Sequence, residues 1–281
     1  MPRQRPLLIA VLSALVLATS VHAEAVSLSI GSSQGGEPLL MYHLGSGAKH
    51  VLILGGQHGG PERNTVELTD ALLDYFTANP EDIPAGIELD ILPRANPDGL
   101  AIGSRQFLSG VDPNRNWGGP DWQADAYDSN AQFRVGLGGA EPFSEQETRE
   151  LAAWVLAVRP ALVINYHSAG GFMFGPRDGF AGELATSYAD TSGYAWPGGG
   201  GAGGGAPSPL GYRASGSMNV WLRDTGIPAI LVELSTPWYP EIDRNLTAVK
   251  AVLRRLADAP SPAAARHPLP EGEGQWIGEA S

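Results

Sequence analysis

Residues 49–76, KHVLILGGQHGGPERNTVELTDALLDYF, decide the fold, because they contain a strand, a turn and a helix in succession. The apolar run Val51–Leu54 ends at a pair of glycines, which is typical of a buried strand. Apolar side chains then recur at helical spacing from Glu62 to Phe76, and Pro61 suits the first turn of a helix. The stretch therefore predicts a buried strand that a tight turn joins to a helix.

The rest of the chain continues this alternation. Further apolar strands are predicted at 87–92, 161–166 and 228–234, and helices at 218–224 and 241–257. Ser144 with Glu147 three residues later is a capping-box pattern, which predicts the start of another helix. Residues 94–140 are rich in Gly, Asp, Asn and Pro and are predicted to form a long functional loop. This order implies an α/β fold with a single domain, in which a mixed, mostly parallel central sheet is flanked by helices on both faces.

The N-terminus has the pattern of a secretory signal peptide. Two arginines precede an apolar stretch from Leu7 to Thr19, and the small residues around Ala23 suit a signal peptidase. The stretch is too short to span a bilayer comfortably, so we expect cleavage and export to the periplasm or the medium. The folded domain would then run from 24 to 258.

Two further segments are predicted to lack regular structure. Residues 198–205 contain seven glycines and one alanine, a composition that predicts a mobile surface loop. Residues 259–281 are rich in proline and have no apolar periodicity, which predicts a disordered tail.

Charge and cysteine content exclude several classes of protein. The formal net charge is −12, and removal of residues 1–23 takes away two arginines and no acids, which makes it −14. Such an acidic protein is not expected to bind nucleic acid, because the phosphate backbone selects basic surfaces. The chain has no cysteine, so it has no disulfides, and any metal must be held by histidines and carboxylates.

Polar side chains are predicted at the carboxyl ends of three strands, where ligand sites gather in such sheets. They are His58, His167 and Glu233. Imidazole and carboxylate together suit zinc, which makes the segment from His58 to Glu62 a candidate metal site. Taken alone, however, each residue has an ordinary structural explanation: the helix dipole for Glu62, core packing for His167, and a pairing with an arginine for Glu233.

The order of the remaining motifs narrows these alternatives. Asn96-Pro97-Asp98-Gly99 is followed by Arg105 and then by Asp112-Pro113-Asn114-Arg115-Asn116-Trp117. A strand that ends in His167, the segment Tyr212-Arg213-Ala214-Ser215-Gly216 and a strand with Glu233 come next. From about Leu52 to Leu234 the chain thus resembles the zinc carboxypeptidase family, whose familiar member is pancreatic carboxypeptidase A. The resemblance implies that family's fold and a peptide-hydrolysing activity.

The resemblance also implies one zinc ion per chain. His58, Glu62 and His167 match the family's metal ligands, and Asp112 matches the aspartate that orients the first histidine. Glu233 matches the general base, which takes a proton from water at the metal and passes it to the leaving amine.

The implied substrate is a peptide with a free C-terminal carboxylate. Arg105 matches the arginine that stabilises the oxyanion, and Asn114 and Arg115 match the pair that binds the carboxylate. Tyr212 matches the tyrosine that closes over substrate, and Asn219 holds a position that lines the side-chain pocket. We expect a monomer that acts on proteins or cell-wall peptides, with no nucleic-acid partner and no stable membrane insertion.

One departure from the family pattern concerns Glu62. The family has H-x-x-E, whereas His58 and Glu62 are separated by three residues. We expect the glycine-rich turn to absorb the extra residue, and Glu67 is a poorer candidate because it lies further along the helix. Two alternatives remain open: a zinc amidase or deacylase acting on small acylated amino acids, and an inactive, peptide-binding relative with a spoiled metal site.

Overall fold

A seven-stranded sheet forms the centre of the computed structural model, which describes residues 25–197 and 211–259. Its strands are β1 (Val26–Ser32), β2 (Pro38–Gly45), β3 (Lys49–Leu54), β4 (Ile87–Leu92), β7 (Leu162–Ser168), β8 (Phe172–Phe174) and β9 (Ala229–Leu234). A separate hairpin consists of β5 (Ala126–Tyr127) and β6 (Phe133–Arg134). The order across the sheet is β1-β2-β4-β3-β7-β9-β8.

The central strands of the sheet are parallel and its edges are antiparallel. β4, β3, β7 and β9 pair in parallel, whereas β1 and β2 on one side and β8 on the other pair antiparallel. The predicted mixed sheet with a parallel centre is therefore confirmed. This arrangement brings the carboxyl ends of β3, β7 and β9 to one edge.

Helices cover both faces of this sheet, as predicted. They are α1 (Arg63–Ala78), α2 (Pro97–Ile102), α3 (Gln146–Val158), α4 (Gly179–Ser192), α5 (Met218–Asp224) and α6 (Ile242–Ala257). Val51 and Ile53 pack in one core with α1, α4 and α6, while Leu52 and Leu54 pack in the other with α3 and α5. Strand β3 is an apolar run because both of its faces are buried.

The capping box predicted at Ser144 is wrong. Helix α3 begins at Gln146, its N-cap residue is Glu145, and no side chain caps it. The Glu147 carboxylate instead accepts a hydrogen bond from the backbone N–H of Gln34, 3.1 Å away, in the segment before β2. A distant backbone donor has therefore replaced the local partner that the motif expects.

The loop predicted at 94–140 is partly wrong, because it contains α2 and the β5–β6 hairpin. The Asn96 side chain caps α2 by accepting from the Gly99 N–H, and Pro97 occupies its first turn. Strands β1, β2 and β8 and helix α4 were not predicted. The predicted signal peptide and glycine-rich loop, and residues 260–281 of the predicted tail, lie outside the described residues. None of the helices in the described ranges is long and apolar enough to cross a membrane.

Candidate active site

Neighbouring strands carry two of the predicted site residues. His167 on β7 and Glu233 on β9 are direct partners in the parallel register, one position before each strand ends. His58 lies in the turn after β3, and β3 pairs with β7 on its other side. Strand pairing therefore brings together three side chains from three distant parts of the chain.

The turn after β3 absorbs the extra residue between His58 and Glu62. Residues Gly60–Glu62 form one turn of 3-10 helix before α1, with the Glu62 N–H donating to the Gly59 carbonyl. A Cβ on Gly59 would lie 2.2 Å from the Ser104 carbonyl oxygen, and one on Gly60 2.2 Å from the Gly103 carbonyl oxygen. Because both positions meet backbone, only glycine lets this turn pack against the end of α2.

His58, Glu62 and His167 form a buried cluster in which one ligand atom from each lies within 4.8 Å of the others. Each residue is at most 3% exposed. The His58 Nδ1 lies 2.8 Å from Glu62 Oε1 and 3.1 Å from His167 Nδ1, and the His167 Nδ1 lies 3.2 Å from Glu62 Oε2. Glu67 is exposed on α1 and takes no part.

This donor set fits a zinc ion. Bonds of about 2.0 Å to a tetrahedral ion place neighbouring ligand atoms about 3.3 Å apart, close to the three separations in the cluster. A neutral His58 has one N–H, yet carboxylates face both of its ring nitrogens, Glu62 at Nδ1 and Asp112 at Nε2. The single N–H can therefore satisfy only one of the two carboxylates. A cation between the Nδ1 atoms of His58 and His167 and the Glu62 carboxylate would interact with the remaining lone pairs.

Asp112 and Arg105 surround the outer side of His58. Asp112 Oδ1 lies 3.0 Å from His58 Nε2, and Asp112 Oδ2 accepts from Arg105 Nε at 3.0 Å. Arg105 also donates to Glu62. Burial opposes ionisation of both carboxyl groups, but the charges of Arg105 and His58 hold the pKa values of Asp112 and Glu62 well below their ordinary range. Both carboxylates are therefore ionised and available to orient and to bind.

Glu233 differs from Asp112 and Glu62 because the pKa of its carboxyl group is raised rather than lowered. Burial, reinforced by repulsion from Glu62, raises its pKa to about 8, although His58, Arg105 and Arg115 act in the opposite direction. A carboxyl group with a pKa near neutrality can both accept and donate a proton during a reaction. Glu233 thus differs from Glu62 in environment rather than in residue type.

The predicted carboxylate-binding residues lie together beside the metal cluster. The Arg115 side chain donates to three oxygens: the Tyr127 carbonyl at 3.0 Å, the Asn114 carbonyl at 2.8 Å and the Tyr212 hydroxyl at 3.1 Å. The Asn114 side-chain oxygen accepts from the Met218 N–H at the start of α5. These bonds connect the loop after α2 to the Tyr212 segment, so the structure brings both parts of the predicted subsite together.

Asn219 lies on α5, and its side-chain oxygen is buried without a hydrogen-bond partner among residues 25–197 and 211–259. Of three tryptophans near these motifs, Trp117 and Trp221 are buried in the core, whereas Trp238 is 78% exposed.

Sequence reasoning missed three positions that support the site. The Ser168 N–H donates to Glu62 Oε2 at 3.1 Å, although a backbone donor leaves no signal in the residue type. Asn165 on β7 donates to Gln57, and Gln57 donates to the Pro113 carbonyl. A polar Asn165 within an otherwise apolar strand was the one signal that could have revealed this connection.

Comparison with known proteins identifies relatives for most of the chain. The family model described as zinc carboxypeptidase matches residues 12–241. Murein peptide amidase A of Escherichia coli K12 is 32% identical over 210 residues, which cover 72% of this chain and 78% of that protein. Zinc carboxypeptidase A 1 of Anopheles gambiae is 32% identical over 164 residues, 52% of this chain and 37% of that protein.

Solved structures share the fold. The murein-tripeptide amidase of Escherichia coli O157 superposes with a TM-score of 0.62 at 24% identity, over 81% of this chain and 91% of that one. Bovine thrombin-activatable fibrinolysis inhibitor, in complex with a tick carboxypeptidase inhibitor, superposes with a TM-score of 0.66 at 20% identity, over 83% and 88%. Both likenesses concern the architecture of the sheet and its helices.

Proposed function

This chain belongs to the zinc carboxypeptidase family and is a hydrolase that acts on peptides, and we propose that it is a zinc-dependent carboxypeptidase that removes the C-terminal residue. The observation that carries the proposal is the convergence of His58, Glu62 and His167, with Glu233 beside them in the strand register. The extra residue before Glu62 leaves this convergence intact. The arrangement argues against the inactive, peptide-binding alternative, which requires a spoiled metal site.

The three residues would hold one zinc ion, with Asp112 orienting His58. When bound, the ion would lower the pKa of a water molecule and polarise the scissile carbonyl group. Glu233 would accept a proton from the attacking water and return it to the nitrogen of the leaving amine. Its pKa of about 8 in the metal-free protein reflects a buried site in which protonation is within reach.

Arg115 would bind the C-terminal carboxylate of the substrate. Its side chain is almost fully buried, so it offers a desolvated guanidinium that can form parallel hydrogen bonds to a carboxylate. Tyr212, whose hydroxyl now accepts from Arg115, would move aside or close over the peptide, and Asn114 would hold the loop against α5. Arg105 would stabilise the oxyanion, a role for which its fixed position next to Glu62 and Asp112 suits it.

A murein-type peptide is the second substrate candidate. The similarity to murein peptide amidase A covers 72% of this chain, whereas the similarity to the insect carboxypeptidase covers 52%. Export through the predicted signal peptide would place the enzyme in the compartment where cell-wall peptides occur. An amidase acting on small acylated amino acids is a weaker candidate, because the roles proposed for Arg115 and Tyr212 require the C-terminal end of a peptide.

The test is product analysis by mass spectrometry on three matched substrates: a peptide with a free C-terminus, the same peptide with a C-terminal amide, and a murein peptide. Release of the C-terminal residue from the first alone supports a carboxypeptidase of ordinary peptides. Preference for the murein peptide supports the second candidate. Absence of cleavage in all three, together with absence of stoichiometric zinc after dialysis against the metal, would favour the binding protein.

A further inference from the structure

A second cluster of imidazoles and carboxylates lies at the opposite end of the sheet. It consists of His43 on β2, His50 on β3, and Glu88 and Asp90 on β4. In the strand register His43 lies opposite Asp90, and His50 lies opposite Glu88. Residues two apart on a strand share a face, so all four side chains meet on one face of three neighbouring strands.

Asp90 is at the centre of this cluster and is fully buried. Its Oδ1 lies 2.6 Å from His43 Nδ1 and its Oδ2 lies 2.8 Å from His50 Nδ1. Glu88 Oε1 approaches the same two nitrogens, at 3.5 Å from His43 and 3.9 Å from His50. Two carboxylates and two imidazoles thus face one another across less than 4 Å.

The carboxylates of this cluster are not paired with a lysine or an arginine. In the described part of the chain, no lysine or arginine forms an ion pair with Glu88 or Asp90, and the ionisable groups beside them are the two imidazoles. With both imidazoles neutral the cluster carries two negative charges, one of them on a fully buried group. Burial of an uncompensated charge is costly, and one divalent cation would neutralise both carboxylates.

The donor atoms also suit a particular class of cation. One ligand atom each from His43, Glu88 and Asp90 lies within 4.8 Å of the others. Imidazole is a ligand for zinc, copper, nickel and cobalt, whereas calcium and magnesium prefer oxygen alone. His43 and Glu88 are 19% and 25% exposed, so an ion can reach them from solvent.

We propose that this cluster is a second metal site, which binds a divalent transition-metal ion of the zinc class. His43, Glu88 and Asp90 are its ligands, and His50 holds the other oxygen of Asp90 and so fixes the direction of the carboxylate. The site is separate from the candidate active site. The run from His50 to Leu54 along β3 alone spans about 13 Å, and His58 lies beyond it.

The experiment counts metal ions in the purified full chain, produced without a histidine tag. A chelator first removes metal, and the protein is then dialysed against zinc or cobalt. Elemental mass spectrometry measures the number of metal ions bound per chain. We expect two ions in the wild type and one in both His43→Gln and Glu88→Gln, with peptide hydrolysis unchanged in both. Glu67→Gln, which removes an exposed carboxylate on α1, is the matched control and should bind two.

A second measurement isolates the new site from the active site. His167→Gln should still bind one ion and should still melt at a higher temperature with zinc than without it, and adding His43→Gln should abolish both effects. A wild type that binds one ion, lost in His167→Gln, would overturn the proposal and leave a hydrogen-bonded His–Asp–His cluster. So would a second ion that persists in both His43→Gln and Glu88→Gln.

Discussion

The Nδ1 atoms of His58 and His167 lie 3.1 Å apart, although 109 positions separate the two residues in the chain. His58 lies in the turn after β3 and His167 lies on β7, and the pairing of β3 with β7 brings the two residues together. Because the sheet is a rigid support, it holds these two nitrogens and Glu62 close together. The site therefore depends on strand register as much as on the identity of its ligands.

Glu233→Gln should abolish most turnover while retaining zinc. Glutamine keeps the shape of the side chain but cannot accept a proton, and a general base contributes roughly 10²- to 10⁴-fold to rate. The measurement is kcat on a peptide with a free C-terminus, together with metal content. Turnover within about threefold of the wild type would remove Glu233 from its proposed role, and Glu67→Gln, on the exposed face of α1, serves as the control.

The same variant should stabilise the metal-free protein at alkaline pH. Burial and repulsion from Glu62 raise the pKa of Glu233 to about 8, whereas an unfolded glutamate titrates near about 4.3. The raised pKa therefore leaves the free energy of unfolding unchanged below about pH 4, lowers it progressively as the pH rises from about 4 to about 8, and lowers it no further above that range. Chelator-treated Glu233→Gln should melt above chelator-treated wild type at pH 9 and at the same temperature near pH 4. An equal difference at both pH values would contradict this expectation.

Asp112→Asn should weaken zinc binding about 10- to 100-fold, the usual cost of removing a residue that orients a ligand. The asparagine side chain can accept a hydrogen bond from Arg105 or direct its amide toward His58. It lacks the negative charge that Asp112 presents to both of these residues. Competition with a coloured chelator measures the zinc affinity, and a denaturant titration shows whether the variant is folded. Asp74→Asn, an exposed change on α1, should have the affinity of the wild type.

Arg115→Lys should raise KM more than it lowers kcat. Lysine keeps the positive charge but loses the planar fork, so it cannot form parallel hydrogen bonds to a carboxylate or maintain the three bonds that Arg115 makes. Loss of a charge-assisted hydrogen bond costs about 1.5–3 kcal/mol, which corresponds to a KM roughly 10- to 150-fold higher. Steady-state kinetics on matched acid and amide peptides check this. An equal rise in KM for the amide peptide would show that Arg115 does not bind the C-terminal carboxylate.

Asp82→Asn should reduce stability at neutral pH only. Hydrogen bonds from Lys250 on α6 and Tyr75 on α1 lower the pKa of Asp82. A lowered carboxyl pKa contributes stability above the unfolded value of about 3.9 and loses it as the pH falls through the folded value. The ion pair between Asp82 and Lys250 is partly exposed, so we expect the free energy of unfolding at pH 7 to fall by less than about 1 kcal/mol. Urea titrations at pH 7 and pH 3 measure it. A loss that is the same at both pH values, or one matched by Asp74→Asn, would contradict the assignment.

Much of the fold could be predicted because the signals were local. Strand β3, strand β4 and helix α5 lie at the residues where apolar periodicity placed them. The edge strand β1 and its neighbour β2 were missed because exposed residues interrupt the apolar pattern of both strands. The capping box at Ser144 failed because Glu147 accepts from Gln34 rather than from its own helix.

The sequence by itself determined the family, the alternation of strands and helices, and the residue types available for a metal site without cysteine. These follow from periodicity and from motif order, which are properties of the chain alone. Only the tertiary structure decided that Glu62 reaches both imidazoles despite the longer turn, since that depends on Gly59 and Gly60 packing against backbone. It alone also brought His43, His50, Glu88 and Asp90 together. Their meeting depends on the register of three strands, and no local pattern in the sequence specifies which strands become neighbours.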